Sequence, residues 1–472
     1  MKHASLNGGP VPTLLALILA VLLGHTPCRA AGVEASLGWH VAPKGGRCAF
    51  LLLSDIHFDP FVDPALFPAL QAAPPEQWDA IFAHSRLTKF ANYPDDANWS
   101  LWQSTLKALS IPGVHYDYAL ITGDYLAHKF DKKFDRLGGG DQEAYAAFVR
   151  KTEDYVAGSL ARALPGTPLY WILGNNDSDC GDYSVDGAEL ASLAQDWPTL
   201  AADPQAAADF ARGGYYETSL PGRAGRLIAL DTVLWSRRYS DGCSDPSRDR
   251  GQEELDWLQA HLEADGRAGR VVTLAAHIPP GVNAYLAQCG LPVEAFLQPQ
   301  YQAPLLKDLR LHASGIRLFF AGHTHFDDFK VLSDHGKAVL GIHICPSIGP
   351  NHGNNPSFQV GLYRRSDGSL VDLATYTLRN LDVADVHGPA GDWGLIYGFK
   401  QAYGHDFNRD GLAAAAQEIR AGEPERSRYE AYYTCEASIK KSPPSSQWRA
   451  YSCAQTCFTP EEFYGCACGG LP

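Results

Sequence analysis

Residues Ala49-Phe50-Leu51-Leu52-Leu53-Ser54-Asp55-Ile56-His57 decide the fold. An unbroken apolar run of this length has the size of a buried strand. It ends abruptly on an aspartate and a histidine, two side chains that bind protons and metals. The same punctuation recurs down the chain. Tyr118–Thr122 ends at Gly123-Asp124, and Leu169–Leu173 ends at Gly174-Asn175-Asn176-Asp177. Val271–Ala276 ends at His277, and Ile316–Ala321 ends at Gly322-His323-Thr324-His325. Amphipathic stretches at Gln142–Ala163 and Gln252–Glu263 lie between these runs and read as helices. Strands alternating with helices imply an α/β layered fold. Ligands of such folds collect where loops leave the carboxyl ends of the strands.

Working outward, the pattern changes after Ile316. Asp328–Ser333, Ala338–Ile344, Phe358–Arg364 and Leu370–Leu378 read as consecutive strands with few helices between, and a second, mostly antiparallel sheet is expected from them. From about Asp382 the sequence turns helical and then Cys-rich, so residues 382–472 are expected to form a separate appendage to a main domain over 31–381. Residues 58–100, rich in Pro and Trp and poor in periodicity, read as an insertion near the strand ends. No internal repeat is present.

At the other end, Met1–Ala30 begins with basic residues, runs through apolar Leu14–Leu23 and closes on small residues. That is the order of a secretory signal peptide, and the run is well short of the roughly 20 residues that span a bilayer. A protein without a transmembrane anchor, secreted or periplasmic, is expected. Cysteine usage agrees with export. Of 11 Cys, Cys28 lies in the leader, five lie in the body (Cys48, Cys180, Cys243, Cys289, Cys345) and five in the tail (Cys435, Cys453, Cys457, Cys466, Cys468). If all of these are oxidised, two odd sets require at least one disulfide between tail and body; the pairing stays open. The tail lacks the CxxC pairs of a zinc ribbon. Lys and Arg number 39 against 53 Asp and Glu, a formal charge of -14 that excludes a stable nucleic-acid partner by repulsion of the phosphate backbone. Cations bound in a cleft would still attract phosphate locally.

The five strand ends deliver Asp55, His57, Asp124, Asn175, His277, His323 and His325. Singly, each has a bland reading as a turn residue, a helix cap or a satisfied polar group. Together they repeat one structural position with ligand-type side chains. Carboxylate, amide oxygen and imidazole suit zinc, iron or manganese. Two such cations about 4 Å apart can clamp a phosphoryl group and activate water, which needs one bridging carboxylate. Asp124 is the natural choice.

These blocks, DxH at Asp55–His57, GD at Gly123–Asp124, GNxD at Gly174–Asp177, His277 and GHTH at Gly322–His325, resemble the calcineurin-like metallophosphoesterases in order and spacing. The resemblance implies a four-layer αββα sandwich with a helical, Cys-rich C-terminal appendage. It implies two divalent metal ions, zinc foremost and iron or manganese as other fits. Asp55, His57 and His325 would hold one ion, Asn175, His277 and His323 the other, with Asp124 bridging. GDYLAH at Gly123–His128, AHIPPG at Ala276–Gly281 and NNPSF at Asn354–Phe358 are similar to the acid sphingomyelinase-like phosphodiesterases. The expected activity is hydrolysis of lipid or nucleotide phosphodiesters by attack of metal-bound hydroxide. The alternative is an endopolyphosphatase or nucleotide phosphoanhydride hydrolase, and a third reading is a non-catalytic, metal-stabilised binding protein.

One position departs from the pattern: the resemblance calls for GNH(D/E), and this chain has Asn176 where the His would stand. An amide cannot deliver a proton. The resemblance offers His128, of the AH pair at Ala127–His128, as the candidate general acid, with a ligand-fixing role as its plain alternative. The GNND form itself is similar to endopolyphosphatases, whose anhydride leaving groups need no acid. Asn176, His352 and Asn354 are candidate substrate-binding residues. Asp406-x-Asn408-x-Asp410-Gly411 starts like a calcium loop, but Gln417 occupies the twelfth position, and it reads better as a turn before a helix over Leu412–Arg420. Asn98-Trp99-Ser100 and Asn176-Asp177-Ser178 are glycosylation sequons; sugar on the latter would block the site.

Overall fold

The computed structural model describes residues 46–437 and 447–469, except 244, 246 and 285–288. The expected leader lies outside the described residues. Twelve strands are present among them: β1 (Arg47–Leu53), β2 (Tyr116–Ile121), β3 (Leu169–Trp171), β4 (Tyr216–Ser219), β5 (Arg226–Ala229), β6 (Val272–Ala275), β7 (Ile316–Ala321), β8 (Asp328–Asp334), β9 (Lys337–Ile344), β10 (Ser357–Arg364), β11 (Leu370–Leu378) and β12 (Trp393–Gly398). They form two six-stranded sheets, ordered β12-β11-β10-β1-β2-β3 and β4-β5-β6-β7-β9-β8. The strands whose ends carry the candidate ligands are neighbours: β1, β2 and β3 run parallel in the first sheet, with β3 at its edge, and β6 and β7 run parallel beside β5 in the second.

This corrects the expected second antiparallel sheet. β8 and β9 form an antiparallel hairpin, but β9 then pairs parallel with β7. β10 crosses to the other sheet and lies antiparallel to β1. Both sheets are therefore mixed. The misreading has a physical cause: strands buried on both faces are continuous apolar runs, and such runs do not reveal which sheet receives them. β12 pairs with β11, so the first sheet draws a strand from beyond residue 381, where a separate appendage was expected.

The sheets pack face to face through Phe50. Its ring stacks on Tyr118 of β2 at 5.1 Å and meets Phe320 of β7 edge-on at 5.6 Å. Gly361 of β10 makes the room, since a Cβ there would lie 2.1 Å from the Phe50 ring. Polar ties also cross the interface: His343 of β9 and Gln359 of β10 are 2.7 Å apart, and Gln359 and Tyr397 both donate to buried Asp327. Helices form the outer layers. Asp141 caps the helix Gln142–Ala163 by accepting from Glu143 N and Ala144 N. Trp102 of the helix Trp99–Leu109 donates to Ser159 on that helix at 2.9 Å. The helix Arg409–Ala421 lies on the second sheet, with Leu412 against Gly341 of β9. Asn408 caps it, which supports the turn reading of that motif.

Residues 58–100 are more than a surface insertion. Phe61, Phe67 and Trp78 pack on Phe148 of the long helix. Asn98 is buried and caps the next helix, which leaves no room for sugar. Disulfides join Cys180 to Cys243, Cys289 to Cys468 and Cys453 to Cys466, so the tail is tied to the body. Cys345, Cys435 and Cys457 are buried thiols. Among the described residues no helix is long and apolar enough to cross a membrane. Phe50→Ala should cost about 3–5 kcal/mol of stability in urea unfolding, as truncation of a buried Phe does; a loss under about 1 kcal/mol would contradict Phe50's place at the centre of the sheet interface.

Candidate metal centre

Five of the candidate ligands share a rare backbone. Asp55 (φ 49°), His57 (48°), Asp124 (56°), His323 (73°) and His325 (67°) all lie in the left-handed region. Non-glycine residues rarely sit there, and each such position costs on the order of 1–3 kcal/mol. Cross-loop hydrogen bonds hold them: Asp55 N donates to Gly123 O and His57 N to Asp124 O, both at 2.9 Å. The motif glycines answer to close approach. A Cβ on Gly174 would come within 2.2 Å of Asp124 N, and one on Gly322 within 2.0 Å of Ser54 Oγ. Asp177 pins the loops after β2 and β3 together by accepting from Gly174 N at 2.8 Å, Tyr125 N at 2.6 Å and Leu126 N at 3.1 Å.

Asp124 sits between two groups of donors. Its Oδ2 is 3.5 Å from His57 Nε2 and 3.3 Å from His277 Nε2. On one side, His325 Nε2 lies 3.4 Å from Asp55 Oδ1 and 3.2 Å from His57 Nε2. On the other, Asn175 Oδ1 is 3.1 Å from His277 Nε2, and the His323 ring packs edge-on against His277. His57 Nδ1 donates to Leu126 O at 3.0 Å and His277 Nδ1 to Thr122 O at 2.7 Å. Those carbonyls fix the tautomers and turn each Nε2 inward, the arrangement common around metal-binding imidazoles.

The electrostatics describe a site built for positive charge. Burial pushes the Asp55 carboxyl up to about 7. Burial likewise drives the imidazoles of His57 and His323 down to about 3, so both offer lone pairs at neutral pH. Burial opposes charge on His277 too, but the neighbouring Asp124 carboxylate outweighs it and raises that imidazole to about 9. Facing lone-pair nitrogens 3.2 Å apart, at His57 and His325, need a proton or a cation between them. Buried carboxylates, an amide oxygen and inward Nε2 atoms fit divalent cations of the zinc, iron or manganese type.

The remaining candidates divide. Asn176 grips Asp124: its backbone N donates to Oδ1 at 2.9 Å and its Nδ2 to Oδ2 at 2.7 Å. His128 stacks on His57 with ring centroids 4.0 Å apart. His352 Nδ1 lies 3.0 Å from His325 Nδ1. Asn354 is a correction. It is buried, with its amide nitrogen bound to Ser347 Oγ at 2.9 Å and Gly349 O at 3.2 Å, and it does not line the cleft. It holds the loop that carries His352. A cavity of about 590 Å³ opens over Asp124, Asn175, Asn176 and His323, and a second of about 940 Å³ adjoins it, with His128 and His352 bordering both.

Sequence reasoning missed Asp96. Its carboxylate accepts from His128 Nδ1 at 2.8 Å, Lys133 Nζ at 2.6 Å and Asn351 Nδ2 at 2.8 Å. Burial opposes charge on His128, yet the Asp96 hydrogen bond prevails and lifts that imidazole above its ordinary value. Asp96 follows no strand and belongs to a segment without periodicity, so no local signal marks it.

Known proteins bear on this arrangement. Acid sphingomyelinase-like phosphodiesterase 3b of Homo sapiens is 27% identical over 82% of this chain and 80% of its own length. The cyclic GMP-AMP phosphodiesterase SMPDL3A of Homo sapiens is 25% identical over 83% of each chain. An endopolyphosphatase of Cryptococcus neoformans is 29% identical over 43% of this chain and 29% of its own length. Residues 49–327 match the calcineurin-like phosphoesterases. That match spans more than half of the sequence and includes every strand end of the centre, so the chain belongs to the calcineurin-like phosphoesterase family.

Proposed function

We propose that this metal-dependent phosphoesterase is exported and hydrolyses phosphodiesters. In this reading Asp55, His57 and His325 hold one divalent cation, Asn175, His277 and His323 hold a second, and Asp124 faces both. Bound there, the cations activate water near neutral pH and offset charge on the phosphoryl oxygens. Asn176 keeps both Asp124 oxygens in place through its amide. The observation that carries the reading is the Asp96–His128 pair at the edge of the centre. It supplies what Asn176 lacks, an imidazole that can give a proton to a departing alkoxide. Asp96 orients the ring and favours its charged form, and Lys133 and Asn351 hold Asp96. Disulfides and the leader-like N-terminus support export.

A second reading, cleavage of polyphosphate or nucleotide anhydrides, draws on Asn176 itself and on the endopolyphosphatase relative. An anhydride leaving group is stable as an anion and needs no acid. One panel separates the two: bis(p-nitrophenyl) phosphate, sphingomyelin, a nucleoside triphosphate and polyphosphate, assayed with the same enzyme. Diester turnover that a chelator abolishes and added zinc or manganese restores is expected. Anhydride turnover with inert diesters would replace the first reading with the second, and phosphate release indifferent to chelator would remove the metals from the account.

His128→Ala should lower kcat on alkyl diesters by about 10²–10⁴-fold, the usual worth of a general acid. The p-nitrophenyl ester, whose leaving group is a stable anion, should lose far less. Equal losses on both substrates would assign His128 to holding His57 instead. Asp96→Asn should follow His128→Ala in direction, with a smaller loss.

A further inference from the structure

Two loops meet at the mouth of the smaller cavity. One follows Asn175 and carries Tyr183; the other follows β5 and carries Arg237 and Arg238. The Cys180–Cys243 disulfide joins them. Tyr183 N donates to Asn175 O at 2.6 Å, and Ser240 N donates to Tyr183 O at 2.8 Å, so the pair of loops hangs from a candidate metal ligand. Tyr183 has φ 61°, a left-handed conformation that a tyrosine keeps only where its surroundings impose it.

The two arginines differ in what they hold. Arg237 pairs with Glu294 at 3.0 Å. Arg238 has no carboxylate within ion-pair distance among the described residues, although Asp182 also borders the cavity. Its guanidinium lies 5.6 Å over the Tyr183 ring, and that ring is edge-on to His323 at 6.5 Å. The Tyr183 ring and its hydroxyl, to which Arg238 also donates, orient the guanidinium while most of its forked N–H donors stay available. In a chain of net charge -14, a guanidinium kept off carboxylates beside His323 is poised for an external anion.

We propose that Arg238 binds the phosphoryl oxygens of the substrate from the Tyr183–His323 side, with Tyr183 and the Cys180–Cys243 bridge holding it in position. The proposal rests on the phosphoester reading above and deepens it by giving the cleft a direction. The leaving group faces His128, and the retained phosphoryl group faces Arg238.

The test uses the full chain as purified. It measures kcat and KM for bis(p-nitrophenyl) phosphate, and the Kd of inorganic phosphate by titration calorimetry. Arg238 is exposed, so Arg238→Ala should keep the wild-type Tm. It should raise both KM and phosphate Kd by about tenfold, as loss of a forked, charge-assisted contact does. Arg238→Lys should recover only part of that, because a point charge lacks the fork. Arg237→Ala removes the same charge from the same cavity and should move both values by less than about threefold. An unchanged phosphate Kd in Arg238→Ala would overturn the proposal. Equal losses from the two arginines would also overturn it, in favour of a diffuse cleft potential. Should the wild type turn over no ester while Arg238→Ala still weakens phosphate, the anion site stands and the reaction assigned above falls.

Discussion

Everything in the site is arranged around one buried carboxylate, Asp124, that faces histidines on two sides. Its backbone is left-handed, and the neighbouring chain at Gly174 leaves no space for a side chain. Three loops converge to keep it there: Asn176 binds both oxygens, His57 N donates to its carbonyl, and Asp177 ties the β2 and β3 loops together. Five strained ligand positions at on the order of 1–3 kcal/mol each would be untenable on mobile loops. The sandwich makes them tenable. Parallel strands of two sheets, locked by Phe50 and its aromatic neighbours, bring the loops that follow them to one site.

Around that fixed point the chain divides its labour. Asn176 supplies an amide that clamps Asp124 and offers no acidic proton. His128, stacked on His57 and gripped by Asp96, is the group that can carry the proton. Arg238 stands on the other flank, on a loop pair stapled through a disulfide. In the proposed reading, proton delivery and phosphate grip thus come from outside the candidate metal ligands. The groups that hold them lie away from the ligand-bearing motifs: Asp96 in the stretch 58–100, and Arg238 in the loop after β5.

That division explains what the sequence could and could not reveal. The ligand residues were legible because each follows a short apolar run directly, so chemistry and strand end are adjacent in the chain. The helix Gln142–Ala163 and strand β11 were legible from periodicity and length. Sheet membership of β8 to β11 was not, because strands buried on both faces look alike wherever they pair. β4 and β5 are four residues each, too short to stand out. Asp96 meets His128 across 32 residues, a contact that no local spacing announces, and Asn354 turns into its own loop rather than the cleft. Contacts of that kind exist only once the fold is formed.

Anomalous diffraction decides whether Asp124 is shared between two cations. Crystals of the full chain grown with zinc or manganese should give two anomalous peaks about 4 Å apart. One should lie among Asp55, His57 and His325, the other among Asn175, His277 and His323, with an Asp124 oxygen within about 2.0–2.2 Å of each. A single peak, or two peaks of which only one touches Asp124, would contradict the account.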